Sequence, residues 1–507
     1  MNLAIRSAVG LAVAAALSGN AYALNKSDYA NMTKVYFGGA TATDNVLTEA
    51  LVNNICDISQ GLPDVYYVGT TGSSNNRVVA CIVTNTTAPG HGFGTGTKVA
   101  FHKESQGGSS NGVNPLIAVS GGAAHGLRWL DLGALTSDCT VTSLSDRIDH
   151  TNCSAALTPV DTAASATYDV HGGISDLEPS LSFPKPTTAE IARLNVKPGV
   201  AIVMGVPVTT GLYRALQKAQ FGVGSACDGS DATNSCVPSL TRAQVRALYT
   251  QNITDWNDIK GSTGAALTTF GAPTDEFVRI CRRVATSGTQ ASFETYFLNE
   301  RCIEGGVGFA VPDDSSTVTD TTYSANQFLA GSLVNAAPSS GNVRTCMSSA
   351  NTNGFWAVGI LSTEVTDSNY GTAGATGFRF VGIDGAAPNL TNVANGDYDF
   401  FVENTINRIK TGPGTLADGD LRREVIEAVE EKLGNTAAIA SLNADFDGRP
   451  WGNGGILALG TVTTANTAPY SDAELTSSPV NTMTRGGNNC VPPYMIKAQP
   501  ANGTPNP

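Results

Sequence analysis

The stretch RRVATSGTQ, Arg282–Gln290, sets two arginines at the end of a strand-like run and follows them with a Ser-Gly-Thr turn. Upstream, FVRICRRVA (Phe277–Ala285) alternates as a half-buried strand does, and downstream Phe293, Tyr296 and Phe297 recur at helical spacing. The unit is a strand, a turn of small residues and a helix, and it occurs twice more. VYFGG (Val35–Gly39) runs into GGATAT (Gly38–Thr43) and then a helix with Val46, Leu47, Ala50, Leu51 and Ile55 on one face, capped by Thr43 or Asp44. KVAFHKES (Lys98–Ser105) runs into GGSSNG (Gly107–Gly112) and then Val113, Leu116 and Ile117. Strands alternating with helices in this way imply an α/β architecture with mostly parallel sheets.

Further segments fit that class. AIVMGVPV (Ala201–Val208) is an apolar, β-branched run typical of a buried strand. In LTRAQVRALY, Thr241 and Gln244 form a capping box ahead of Val245 and Leu248. GFRFVGID (Gly377–Asp384) reads as a strand, and Leu421, Val425, Val429 and Leu433 mark an amphipathic helix. Thr84–Gly96 and Asp313–Thr322 read as surface insertions, and the Gly-, Asn-, Thr- and Pro-rich tail after Asp447 as irregular.

With 507 residues the chain suits two or three domains, and a formal net charge of -13 with no basic stripe excludes nucleic acid as a partner. It leaves small anions open, because a few local donors make such a site. Arg6, the apolar Ala8–Leu17 and Ala21-Tyr22-Ala23 have the form of a secretory signal cleaved after Ala23. That run is too short to cross a bilayer, so the expected product is exported without membrane insertion. Ten cysteines fit an oxidising compartment. Close spacing suggests Cys139 with Cys153, Cys227 with Cys236 and Cys281 with Cys302, leaving Cys56, Cys81, Cys346 and Cys490. No CxxC or HxxxH spacing occurs, and neither a metal nor a cofactor is expected.

In open α/β sheets, ligands bind beyond the carboxyl ends of the strands. There a helix start offers unpaired N–H groups, glycine lets the backbone come close, and Ser or Thr adds a hydroxyl. Each turn alone also fits an ordinary helix cap. Three converging would enclose a small tetrahedral oxyanion without a metal.

The order of these pieces resembles the periplasmic phosphate-binding proteins that serve ABC transporters. GGATAT is similar to that family's opening GAGAT turn, GGSSNGV to its GSSGG turn, and HGGISDLEPS to the segment ending in Ser-Asp. SLTRAQVRALYTQNITDWNDI resembles its second-lobe helix with the Ile-x-x-Trp-x-Asp continuation. RVATSGTQ keeps the R-x-x-x-S-G-T spacing, and GIDGAAPNLTNVANGDYDFF is similar to a closing IDG-x-x-P segment. The resemblance covers roughly Val35–Arg408 and implies a type II periplasmic-binding-protein fold. It has two lobes, each a mostly parallel sheet flanked by helices, with the ligand between them. The expected division is a signal over 1–23, a first lobe over 24–183 and 343–447, a second over 184–342, and an irregular extension over 448–507.

The resemblance further implies that Thr41, Ala42, Ser109, Asp176, Arg283, Ser287, Gly288 and Thr289 hold phosphate, Ala42 through its backbone N–H. A carboxylate such as Asp176 only accepts hydrogen bonds, so a ligand beside it must carry a proton; phosphate does at neutral pH and sulfate does not. No catalytic residue is expected, and the implied partners are inorganic phosphate and a transporter permease. The sequence departs from the family at Ala42, in the 176 − 109 = 67 positions between Ser109 and Asp176, and in the tail beyond Arg408. Two other classes are compatible with export: a scaffold or adhesion protein retaining the fold, and a phosphatase. No GxSxG elbow or His/Asp cluster near the turns provides the machinery of the latter.

Overall fold

The strand Leu194–Thr209 belongs to two sheets at once. Its first part lies antiparallel to Phe401–Ile409, with Ile202 opposite Val402, and to Ile456–Leu459. Its last part lies antiparallel to Phe378–Ile383, and at Val208 to Ala357–Gly359. Every residue from Ala201 to Val208 is buried, so the run AIVMGVPV has no polar side because neither face meets water. The computed structural model describes residues 26–69, 75–94, 96–117, 127–135, 139–153, 157–159, 170–230, 234–303, 311, 334–365, 377–446, 449, 452–460 and 470–496. The expected signal and the insertion Asp313–Thr322 lie outside them.

In the first sheet Thr33–Gly39 is flanked in parallel by Thr97–Glu104 and Gly172–Ser175. Gly172–Ser175 then pairs antiparallel with Phe401–Ile409, and Thr97–Glu104 pairs antiparallel with Asn76–Val83. In the second sheet Arg279–Arg283 is flanked in parallel by Val334–Ala337 and Ala357–Gly359. The architecture is α/β and two-lobed. Parallel triplets lie at the heart of each sheet, and antiparallel pairs form where the chain passes between them. Crossings occur near Met204, Ser362 and Phe400: Met204 pairs with Ser362, and Met204 N donates to Phe400 O (3.0 Å). Leu194–Val203 therefore pairs within the first sheet and Phe378–Ile383 within the second, whereas the sequence reading divided the lobes at 184 and 343. The crossing near Met204 lies inside a uniformly apolar strand, where composition gives no boundary signal, and those near Ser362 and Phe400 are fixed by pairing with distant segments.

The helices follow the apolar spacing. Asp44–Ala50 and the π-helical turn Leu51–Ile55 bury Val46, Leu47, Ala50, Leu51 and Ile55. Arg242–Tyr249 begins with the Thr241–Gln244 capping box and buries Val245 and Leu248. Leu421–Lys432 buries Val425 and Val429. Among the described residues no helix is long and apolar enough to cross a membrane.

Cys139–Cys153 and Cys227–Cys236 are bonded, and so are Cys56–Cys81. The expected Cys281–Cys302 pair is not formed: Cys281 bonds Cys346, and Cys302 bonds Cys490. Cys281 lies within the strand Arg279–Arg283, where the helix Ser340–Thr352 brings Cys346 to a Cα–Cα distance of 6.0 Å. The helical run from Gly288 to Leu298 carries the chain about 15 Å away before Cys302 is reached, at 1.5 Å per residue.

Candidate functional site

The parallel register sets three chain turns side by side at the carboxyl end of the first sheet. Thr33–Gly39, Thr97–Glu104 and Gly172–Ser175 all end there, and their turns carry Thr41 and Ala42, Ser109, and Asp176. The strand Arg279–Arg283 ends opposite, with Arg283 at its last position and Ser287, Gly288 and Thr289 opening the next helix. The lobes meet at this seam. Ser110 N donates to Thr286 O at 3.0 Å. A methyl group on Gly288 would lie 2.7 Å from Asp176 Oδ2, and one on Gly108 would lie 2.7 Å from Ser287 Cα. Gly108 also has φ +80°, a backbone region that favours glycine. Both glycines are thus required by close approach, which sets Ser109 and Asp176 of one lobe against Gly288, and Gly108 against Ser287; Thr41 and Ala42 lie on the turn after Gly39, and Thr289 in the helix that Gly288 opens.

Their environments differ. Asp176 is 1% exposed; its backbone N–H donates to Ser109 Oγ (3.1 Å), and its Oδ1 has no hydrogen-bond partner among the described residues. Burial pushes its pKa up to about 6, opposed by the Ser109 hydroxyl and by the charges of Arg283 and Lys103. Arg283 is also 1% exposed. It donates from Nε to Ala337 O (3.1 Å), from Nη1 to Ser340 Oγ (3.1 Å) and from Nη2 to Pro338 O (3.0 Å). These bonds fix the plane of the guanidinium and, among the described residues, engage three of its five N–H groups. Burial pulls Arg283 down to about 10, and Asp176 pushes it back up, so the two groups feel one another. Ser287 Oγ is buried without a partner among the described residues. The Thr41 hydroxyl donates to Ser105 O (3.3 Å), so its proton is engaged within its own lobe.

A group of buried charges beneath the turns was not read from the sequence. Lys103 Nζ lies 3.1 Å from Asp44 Oδ1 and donates to Gly39 O (3.1 Å) and Ala40 O (3.2 Å). Arg77 donates to Asp44 O (3.1 Å) and Thr48 Oγ1 (3.0 Å), and Ser105 Oγ donates to Asp44 Oδ2 (2.5 Å). Asp44 thereby ties the first turn to the second, in place of the capping role open to it in the sequence; Thr43 is the N-cap, and its hydroxyl donates to Ala40 O. Burial lowers the Lys103 pKa, opposed chiefly by Asp44. Glu364, next to the Ser362 crossing, has its pKa raised by burial and then by the charges of Asp44 and Asp176. The signal available in the sequence was KVAFHKES itself, a strand whose last residues are charged although its neighbours are apolar.

His91, Glu424 and Glu427 come close enough together to suggest a metal. However, His91 already faces Glu424 Oε2 (3.3 Å) and Glu431 Oε1 (3.4 Å), while Glu427 accepts from Arg408 (2.6 Å) and Arg423 (2.9 Å). Two guanidinium charges beside Glu427 oppose a dication, and the group reads as an ion-pair network.

No family model matches the chain, and no curated protein matches its sequence. Solved structures with a similar fold include a protein from Clostridium perfringens assigned as a phosphate ABC transporter substrate-binding protein, with phosphate bound. The two are 15% identical, 81% of this chain and 98% of that one are covered, and the TM-score is 0.38. An ABC-type phosphate transport receptor from Vibrio cholerae is 15% identical over 54% of this chain and 79% of its own, with a TM-score of 0.30. PstS from Borrelia burgdorferi is 11% identical over 59% and 85%, with a TM-score of 0.27. At these scores the likeness carries no argument about the ligand.

Proposed function

We propose that the protein captures inorganic phosphate in the seam between its lobes and releases it intact, in the service of phosphate uptake by a transporter. The observation that carries this reading is the pairing of two fully buried, opposite groups with unused capacity. Arg283 retains N–H donors, and Asp176 retains an acceptor oxygen with no partner among the described residues. A tetrahedral anion bearing a proton satisfies both, and Ser287 Oγ and the start of the Gly288 helix add donors. An anion without a proton leaves Asp176 facing another acceptor.

A binding role suits the surroundings better than a hydrolytic one. The described histidines face other partners: His91 faces Glu424, His102 faces Tyr29, His150 faces Asp64, and His171 accepts from Tyr36 N. None of these contacts pairs an imidazole with Ser109 or Ser287 as a base for nucleophilic attack. Calorimetric titration with phosphate, sulfate and arsenate at pH 7.5 tests the proposal. Tight binding of phosphate and arsenate with weak sulfate binding is expected. Absence of phosphate binding, or turnover of a phosphate ester, refutes it.

A further inference from the structure

One edge of the seam carries three ties between the lobes. The first is the bond from Ser110 N to Thr286 O (3.0 Å). The second is Arg301, which donates from Nη1 to Leu181 O of the first lobe (2.8 Å) and from Nη2 to Ala285 O of the second (2.7 Å). Phe183 N donates to Ser110 Oγ (2.9 Å), which keeps residues 181–183 beside Ser110. The third tie begins at the residue after Arg301: Cys302 is bonded to Cys490, 188 positions away.

Cys490 belongs to a segment bonded to the first lobe. Asn489 donates from N and Nδ2 to Glu178 (3.1 and 2.7 Å), two residues beyond Asp176. Its Oδ1 accepts from Glu403 N (3.1 Å), on a strand of the first sheet. The Glu403 carboxylate accepts from Thr484 Oγ1 (2.6 Å), Arg485 N (2.7 Å) and Gly487 N (2.9 Å). Glu403 is buried, and a buried carboxylate with this many donors is not easily peeled away.

We infer that residues 482–490 form a covalent strap joining the two lobes along this edge, so that the cleft opens by swinging about the strapped side and ligand is exchanged on the side away from it. The hydrogen bonds of Ser110 and Arg301 exchange for water when the lobes part, at a small net cost for each. The disulfide has no such alternative and limits how far Cys302 travels from Glu178 and Glu403. A seam held in this way opens less often and by a smaller angle than one linked by the crossing strands alone.

The ligand part of this inference rests on the phosphate reading, but the strap is testable without it. Hydrogen exchange at the Ser110 amide in phosphate-free protein reports opening of that edge, because the amide is bonded across the seam. In Cys302→Ser/Cys490→Ser, exchange at Ser110 is expected to rise about tenfold or more as the open population grows, while Thr33–Gly39 stays as protected as before. Phosphate release, followed by stopped flow, accelerates in parallel. Asn489→Ala keeps both cysteines and removes the anchor on Glu178; a smaller rise in the same direction is expected. Unchanged exchange at Ser110 in the serine variant, or in Asn489→Ala should the serine variant not fold, overturns the strap. A protein that binds no phosphate but shows the rise refutes the ligand and leaves the strap standing.

Discussion

Replacing Asp176 with Asn tests the chemistry of the seam most directly. The carboxyl is 1% exposed, and one oxygen has no partner among the described residues. Moving its pKa from 3.8 to about 6 places a penalty of about 3 kcal/mol on its charged form. A ligand proton recovers part of that penalty by donating to the free oxygen. A sulfate oxygen instead leaves a buried acceptor unmet, at about 1–3 kcal/mol, with repulsion between two negative groups added. At about 1.4 kcal/mol per tenfold, phosphate should lead sulfate by at least about 10- to 100-fold at pH 7.5. In Asp176→Asn the amide NH₂ serves either anion, and most of that lead disappears. The sign of the pH dependence follows from the raised pKa. Above about pH 6 the carboxyl of the free protein is ionised and only accepts; below it, the carboxyl is protonated and donates to sulfate. Discrimination should therefore be full above that pH and fade as pH falls through it, in wild type but not in the Asn variant. The assay is competition of sulfate against phosphate by calorimetry from pH 5 to 8. Equal binding of both anions by wild type at pH 7.5, or an unchanged ratio in Asp176→Asn, refutes the reasoning.

Arg283→Ala removes the planar donors opposite Asp176 and should cost about 2–5 kcal/mol of phosphate binding by calorimetry. Gly288→Ala sets a methyl group against Ser109 Oγ and 2.7 Å from Asp176 Oδ2, and about 1–3 kcal/mol of phosphate binding should be lost by calorimetry. Lys103→Met leaves Asp44 short of its closest cation and should destabilise the fold by about 3 kcal/mol in chemical denaturation.

The parts of this molecule that follow local rules were legible in its sequence. The capping box at Thr241, the apolar face from Val46 to Ile55 and the strand Ala201–Val208 each depend on residues a few positions apart. The strand, turn and helix that carry Arg283 to Thr289 were legible for the same reason. What depended on distant partners was not. Lys103 and Asp44 are 59 positions apart (103 − 44 = 59), and nothing near either shows that they meet in the interior. The crossing at Met204 lies in an apolar run that continues unbroken from one sheet to the other, and those at Ser362 and Phe400 are set by their pairing with it. Cys302 looked like the partner of Cys281 because spacing along the chain stood in for spacing in the fold.

That last error is one the chain itself is liable to make. Cys281 and Cys302 are 302 − 281 = 21 positions apart, whereas the bond actually made from Cys302 spans 188. Closing the shorter loop in an unfolded chain is favoured by about 2 kcal/mol from the ratio of lengths alone. Oxidation before folding therefore favours the wrong pair, which would also deprive Cys346 of its partner. The correct bond becomes favoured only once Glu178 and Glu403 have captured the segment that carries Cys490. Cys302–Cys490 is thus a covalent record that both lobes and the extension have already come together, and production of the native protein in quantity calls for conditions in which disulfides can still rearrange.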